Sequence, residues 1–349
     1  MKKRILIFVC AALLLSILLG VAQAIVQPKY TDNPEGALIR EYYDSGMDHD
    51  VLFIGDCEVY ESFVPTVLWE EYGIRSYVRG SAQQLAWQSY YLLEETFSYE
   101  TPKTVVFNVL ALKYGAPQNE AYNRMTLDGM RWSRVKWNAI RASMTEDETM
   151  IEYIFPLLRF HSRITSLTGD DLRYAFTDPT VSHNGYLMQT GIVPMTDEEV
   201  YVRGLSDYTL PKTSMEYLEK MRVLCEENGA ELILIKSPTN SWGYWWYDEW
   251  DDQIVAYAAE HDLSYYNFIS ACEEIGIDWQ TDTYDAGVHL NVYGAEKMTA
   301  YFGALLCEKH GYEKHASKAG ADSSWDVRAS RYYEQKAQME AETKKEKTT

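Results

Sequence analysis

The sequence predicts a three-layer α/β/α protein built on a mainly parallel sheet, with a helical insertion. Two observations carry that prediction. Short apolar runs alternate with amphipathic helical stretches, the pattern of strands joined by crossover helices. The runs are apolar at consecutive positions, as strands covered on both faces are. The chain has 349 residues, 46% of them hydrophobic and 24% charged, enough for one large core with appendages or two small domains. Its 20 glycines and 10 prolines are too few for a fibrous or disordered chain.

The N-terminus combines Lys2-Lys3-Arg4 with an apolar run from Ile5 to Val26, broken only by Ser16 and Gln23 as strongly polar residues. Ala22-Gln23-Ala24 resembles a signal-peptidase site, so residues 1–26 read as a signal peptide or a transmembrane anchor. About 20 apolar residues span a bilayer as a helix, which favours the retained anchor. The positive flank keeps the N-terminus cytoplasmic and places the body outside the membrane.

Residues 27–49 read as a polar stalk with Pro28, Pro34 and Gly36. The α/β body is expected over 50–312. Strands are predicted at 51–54, 76–78, 104–112, 231–235 and 264–268. Helices are predicted at 65–72, 85–97, 214–228, 251–261 and 292–310. From about 116 to 201 the alternation loosens into helical segments near 121–130, 132–142 and 147–164, an insertion with the character of a lid. Residues 313–349 form a charged tail, helical or disordered.

The chain carries 32 Lys+Arg against 52 Asp+Glu, a formal net charge of −20. Such a surface repels phosphate backbones and argues against nucleic acid as a partner. Five cysteines form no Cys-x-x-Cys pair and no zinc-type spacing.

In parallel sheets, ligands sit beyond the carboxyl ends of the strands. There the first strand runs into Gly55-Asp56-Cys57-Glu58. A thiol at a strand-to-helix turn is exposed to attack substrate, and the turn's N–H groups can hold an oxyanion. Near the far end, Asp282-Thr283-Tyr284-Asp285-Ala286-Gly287-Val288-His289-Leu290-Asn291 places acids shortly before a histidine at the start of a helix. Such an acid can orient a general base. After the fourth strand, Lys236 precedes an aromatic run containing Trp242, Trp245 and Trp246. Flat rings with interleaved polar groups suit a sugar-stacking wall, and an aromatic cap on the sheet edge equally. Arg79 and Arg124 suit structural ion pairs.

Together, the strand–Gly55-Asp56-Cys57 turn and the Asp285…His289-Leu290-Asn291 stretch resemble the first and last motif blocks of the SGNH/GDSL hydrolase superfamily. The resemblance spans roughly residues 50–312. It implies an SGNH-hydrolase-like, flavodoxin-like fold, with Cys57 as nucleophile, His289 as general base and Asp285 as its orienting acid. Gly80 and Asn123 would form the oxyanion hole, with Asn108 the alternative asparagine. Asp56, Lys236, Trp242, Trp245 and Trp246 would bind substrate.

The branch resembled most is membrane-tethered and extracytoplasmic, and includes cell-envelope polysaccharide O-acetyltransferases. It implies an esterase or O-acyltransferase acting on acyl, chiefly acetyl, esters of an envelope glycan. A membrane-bound O-acyltransferase would relay the donor, and no metal or organic cofactor is required. The chain departs from the family pattern in three ways. Cys57 replaces the serine, three residues rather than two separate Asp285 from His289, and the third block is missing. The loop must therefore bulge or Asp282 must substitute. These departures also allow an inactive SGNH-like domain that binds glycan or acts as a scaffold.

Overall fold

The computed structural model describes residues 2–28, 35–177, 180–196, 204–240, 246–314 and 323–346. Five strands form one sheet: β1 (Val51–Gly55), β2 (Ser76–Gly80), β3 (Thr104–Asn108), β4 (Glu231–Lys236) and β5 (Ser264–Asn267). Their order is β2-β1-β3-β4-β5 and every pairing is parallel. Helices flank both faces, so the predicted three-layer α/β/α fold with a parallel sheet is the one observed.

Helices α1 (Lys2–Val26) and α2 (Glu35–Glu41) precede the sheet. Then α3 (Cys57–Tyr60), α4 (Pro65–Tyr72) and α5 (Ala86–Thr96) link the first three strands. Between β3 and β4 lie α6 (Glu120–Leu127), α7 (Arg134–Ser143), α8 (Met150–Ile154), α9 (Pro156–Phe160), α10 (Gly169–Tyr174) and α11 (Lys212–Asn228). Helix α12 (Asp248–Glu260) leads into β5, and α13 (Cys272–Ile275), α14 (Val292–Lys309) and α15 (Ser323–Glu346) follow.

Strand alternation sorts the core into two layers. Val51, Phe53, Val78 and Ile233 face α4 and α14, where Phe53 stacks on Phe63 with centroids 4.3 Å apart. Leu52, Ile54, Val105 and Leu234 face α5 and α11, against Leu92, Leu93 and Leu218. Both layers are apolar, which is why the strands read as continuous apolar runs.

Three local expectations change, and of the two readings of the tail the helical one is observed. The predicted third strand ends at Asn108, and Val109–Lys113 forms a 3-10 turn whose apolar residues pack into the second layer. The long helix expected near 147–164 breaks at Pro156, which lacks an N–H and opens a new helix. The stretch expected as a stalk joins the body from Glu35, because Leu38, Ile39, Tyr42 and Tyr43 are buried. The tail is an ordered helix from Ser323 to Glu346. Its Trp325, Ala329 and Tyr332 recur at helical spacing and are buried, with Trp325 stacked on Trp69 at 5.5 Å. Helix α1 stands apart: its 25 residues are long and apolar enough for a membrane anchor or a signal.

Beneath the carboxyl ends of β1, β3 and β4 lies a buried polar cluster. Lys236 Nζ donates to both Glu58 oxygens at 2.7 and 2.8 Å, and to the Ser237 carbonyl at 2.9 Å. Asn108 Nδ2 donates to Glu58 Oε2 at 2.9 Å and to Asp56 Oδ1 at 3.1 Å. The Ser237 N–H returns to Asn108 Oδ1 at 3.2 Å. The ends of β3 and β4 are thereby joined to the turn that follows β1. Removing one member of a buried ion pair leaves its partner uncompensated, at about 3–5 kcal/mol. Lys236→Met should lower stability by about that amount in urea unfolding, and Lys236→Met with Glu58→Met should recover much of it. A single variant as stable as the parent chain would contradict this role.

Candidate active site

The first strand delivers Cys57 by simple geometry. Gly80 stands opposite Gly55 in the ladder, and the chain turns immediately into α3. Close approach requires glycine at both positions: a Cβ on Gly55 would lie 2.6 Å from Val59 Cγ2, and one on Gly80 2.8 Å from the Gly55 carbonyl oxygen. Asp56 caps α3, its side chain accepting the Glu58 N–H at 3.3 Å. Cys57 is therefore the first residue of the helix, at the carboxyl edge of the sheet.

The second half of the site arrives 232 positions later in the chain, on the loop before α14. Asp285 Oδ2 lies 2.6 Å from His289 Nδ1, and Asp285 Oδ1 accepts the His289 backbone N–H at 2.8 Å. The extra residue is absorbed by a bulge. Ala286 and Gly287 take φ of 61° and 94°, so the chain doubles back and the acid still meets the ring. Asp282 does not substitute. It is buried and accepts from Lys297 Nζ at 2.6 Å and the Asp278 N–H at 2.8 Å. Asn291 fastens the loop, capping α14 and donating to the Thr281 carbonyl at 2.8 Å.

Cys57 and His289 line one cleft, and each shifts the proton affinity of the other. Two residues that the sequence reading passed over complete the surroundings. Glu61 Oε2 is 3.4 Å from His289 Nδ1, and Tyr284 donates its hydroxyl to Glu61 Oε1 at 2.8 Å. The Tyr284 ring lies parallel to the imidazole, centroids 6.1 Å apart. The available signal was spacing. Glu61 falls four residues after Cys57, one helical turn on, and Tyr284 adjoins Asp285.

Burial pushes the Cys57 thiol above its ordinary value, with Asp56 and Glu61 adding to the rise and His289 opposing it. Burial also disfavours the His289 imidazolium, but Cys57, Glu61 and Asp285 outweigh it and hold the ring well above the usual histidine value. Asp56 is pushed up to about 6, by burial first and then by Glu58.

A cleft of about 370 Å³ opens onto this group, lined by Cys57, Glu61, His289, Tyr284, Tyr122 and Met125 among others. One wall is α6, the first helix of the predicted insertion. The later insertion supports the loop from behind: the Val193 N–H donates to the Thr283 carbonyl at 3.1 Å, and the Ala286 N–H to the Val193 carbonyl at 3.1 Å.

Several predicted site residues do not reach the cleft. Asn123 Nδ2 donates to the Ser143 carbonyl at 2.7 Å and its Oδ1 accepts from Gln88 at 2.9 Å, so it ties α6 to its neighbours. It is not an oxyanion donor. Asn108 belongs to the buried cluster. Asp56 is a helix cap and Lys236 is the fully buried partner of Glu58, so neither is free to bind substrate. Trp246 is a core residue, 3% exposed, with its indole N–H on Asp251 Oδ1 at 3.1 Å. Trp242 and Trp245 lie outside the described residues. Arg79 is buried in an ion pair with Glu95 beneath the Tyr42 ring, and Arg124 pairs with Glu120.

Among the described residues, no group of three or more His, Cys, Asp or Glu side chains is arranged to hold a metal ion. No family model matches the chain, and no curated protein does.

The arrangement can pass a proton between sulfur and imidazole while two carboxylates hold the ring. Attack requires sulfur and imidazole to share a single proton, so any second proton must first leave. Glu61 raises both groups, so its removal should let that proton leave at lower pH. Alkylation of Cys57 by iodoacetamide, followed by peptide mass, should rise with pH above the ordinary histidine value. In Glu61→Gln the same profile should move to lower pH. An unmoved profile, or a shift upward, would show that Glu61 does not act on the pair.

Proposed function

We propose that the chain is an extracytoplasmic, membrane-anchored acyl-ester enzyme of SGNH/GDSL type, an esterase or O-acyltransferase acting on acylated envelope glycan. The observation that carries this reading is Cys57 at the first position of α3, facing a histidine whose Nδ1 is held by Asp285 at 2.6 Å. In this reading Cys57 attacks the acyl carbonyl and His289 takes its proton. His289 then returns the proton to the leaving alcohol, which departs as an acyl-thioester forms on Cys57. Water or a second hydroxyl, deprotonated by His289, releases the acyl group. The N–H groups of Cys57 and Gly80 stabilise the oxyanion. Asp285, with Glu61, orients His289 and compensates its charge.

The Lys2-Lys3-Arg4 flank before α1 supports the placement outside the membrane. A cleft of about 370 Å³ suits a short acyl group with part of a sugar ring. A membrane-bound O-acyltransferase fits as the donor relay for a transferase.

The full chain should hydrolyse a small acetyl ester such as p-nitrophenyl acetate. Cys57→Ala should abolish turnover, and Asp285→Asn should lower it by about 10⁴-fold by releasing the imidazole from its orientation. Cys57→Ser should keep measurable activity. Equal rates in the parent chain, Cys57→Ala and Asp285→Asn, with folding intact, would leave an inactive domain that binds glycan.

A further inference from the structure

The apolar surface outside the core is not scattered. Among the described residues, fourteen large apolar or aromatic side chains outside α1 are exposed, and eight of them lie between 132 and 176. Six (Ile151, Phe155, Leu158, Ile164, Leu172 and Phe176) are each 47 to 68% exposed. They fall on α8, α9, the 3-10 segment His161–Ser166, and α10 with its flanks. Single exposed apolar residues are ordinary, whereas a cluster marks a surface that something covers.

Position identifies what covers it. Helix α9, helix α10 and the 3-10 segment pack against α1, and Arg163 Nη1 donates to the Val26 carbonyl at 2.6 Å. The contact is confined to one end of α1: residues 2–20 are exposed, and only 21–26 are partly or fully covered. Hydrocarbon about 30 Å thick takes about 20 helical residues at 1.5 Å each. Counted from Ile5, that length ends close to Ala24. The insertion helices therefore meet α1 at the level where it leaves the hydrocarbon.

Charge agrees. Residues 150–177 carry Arg159, Arg163 and Arg173 against Glu152, Asp170 and Asp171, a local balance in a chain of net charge −20. An acidic surface would be held off anionic headgroups, and this segment is not.

We infer that α8–α10 lie in the bilayer interface beside α1, with Phe155, Leu158, Ile164, Leu172 and Phe176 in contact with lipid. The inference rests on α1 being retained as an anchor and does not depend on the catalytic reading. It also sets the height of the cleft. Arg159 on α9 pairs with Glu120 at 2.8 Å, and Glu120 opens α6, whose Ala121 and Tyr122 line the cleft. One wall of the Cys57 cleft is thus tied to the membrane-seated helices, so substrate would be met at the membrane surface.

The test uses the full chain in nanodiscs of phosphatidylcholine and phosphatidylglycerol, with Phe155, Leu158 or Phe176 replaced singly by p-benzoylphenylalanine. Irradiation should give adducts of lipid mass several-fold above those from the same replacement at exposed Val255 on α12. Yields no higher than at Val255 overturn the inference. So does cross-linking in native membranes that attaches these positions to a protein in place of lipid, which would assign the patch to a membrane partner. Intact mass of the membrane-bound chain separates the premise from the conclusion. A mature chain lacking residues 1–24 removes the anchor and the inference with it, whereas a full-length chain without lipid adducts removes the inference alone.

Discussion

The Glu58–Lys236 ion pair is the constraint on which the rest of the site depends. It sits where β1, β3 and β4 end, fully buried, with Asn108 donating to both Glu58 and Asp56. A buried charge is tolerated only when paired and hydrogen-bonded, and here both conditions are met by atoms from β3, β4 and the turn after β1. The Asp56-Cys57-Glu58 turn is accordingly held from below on one side by the ladder and on the other by this cluster. The thiol, itself buried, lines the floor of the cleft on that base.

The histidine side is held differently. Its loop has few apolar residues and is fixed by hydrogen bonds: Asn291 to the Thr281 carbonyl, Thr283 to the Gly287 N–H, and the Val193 backbone to Thr283 and Ala286. The left-handed pair Ala286-Gly287 is what lets Asp285 fold back onto His289 across three intervening residues. Segments far apart in the chain thus supply the two halves of one proton path, and the insertion joins them. Its α6 walls the cleft, and its last stretch braces the histidine loop.

Glu61 and Tyr284 add a second carboxylate and a stacked ring around His289. Two acids facing one imidazole favour its charged form more strongly than Asp285 alone. Glu61 also raises the neighbouring thiol, so its support of the base and the acidity of the nucleophile oppose one another here.

Much of this was legible in the sequence because it depends on local pattern. Apolar runs marked the strands, the first two closed by Gly55 and Gly80, and the parallel sheet followed from their alternation with helices. Cys57, Asp285 and His289 stood out because each lies at a strand end or just before a helix start, at the carboxyl edge of the sheet. The lone Pro156 could have been read as a break, since its missing N–H acts locally. Other assignments depended on what each side chain meets across the fold. Lys236, Asp56 and Asn123 are polar residues near the site in sequence order, yet their partners come from other strands and helices and consume their hydrogen bonds. Trp246 looked like a sugar platform until packing against Trp250 and Asp251 made it core. Glu61 became part of the site because α3 turns it toward a histidine 228 positions away. Periodicity along the chain is a local property and fixes which elements form. Which buried polar group meets which is decided only when the elements pack, because the cost of leaving one unpaired is felt only there.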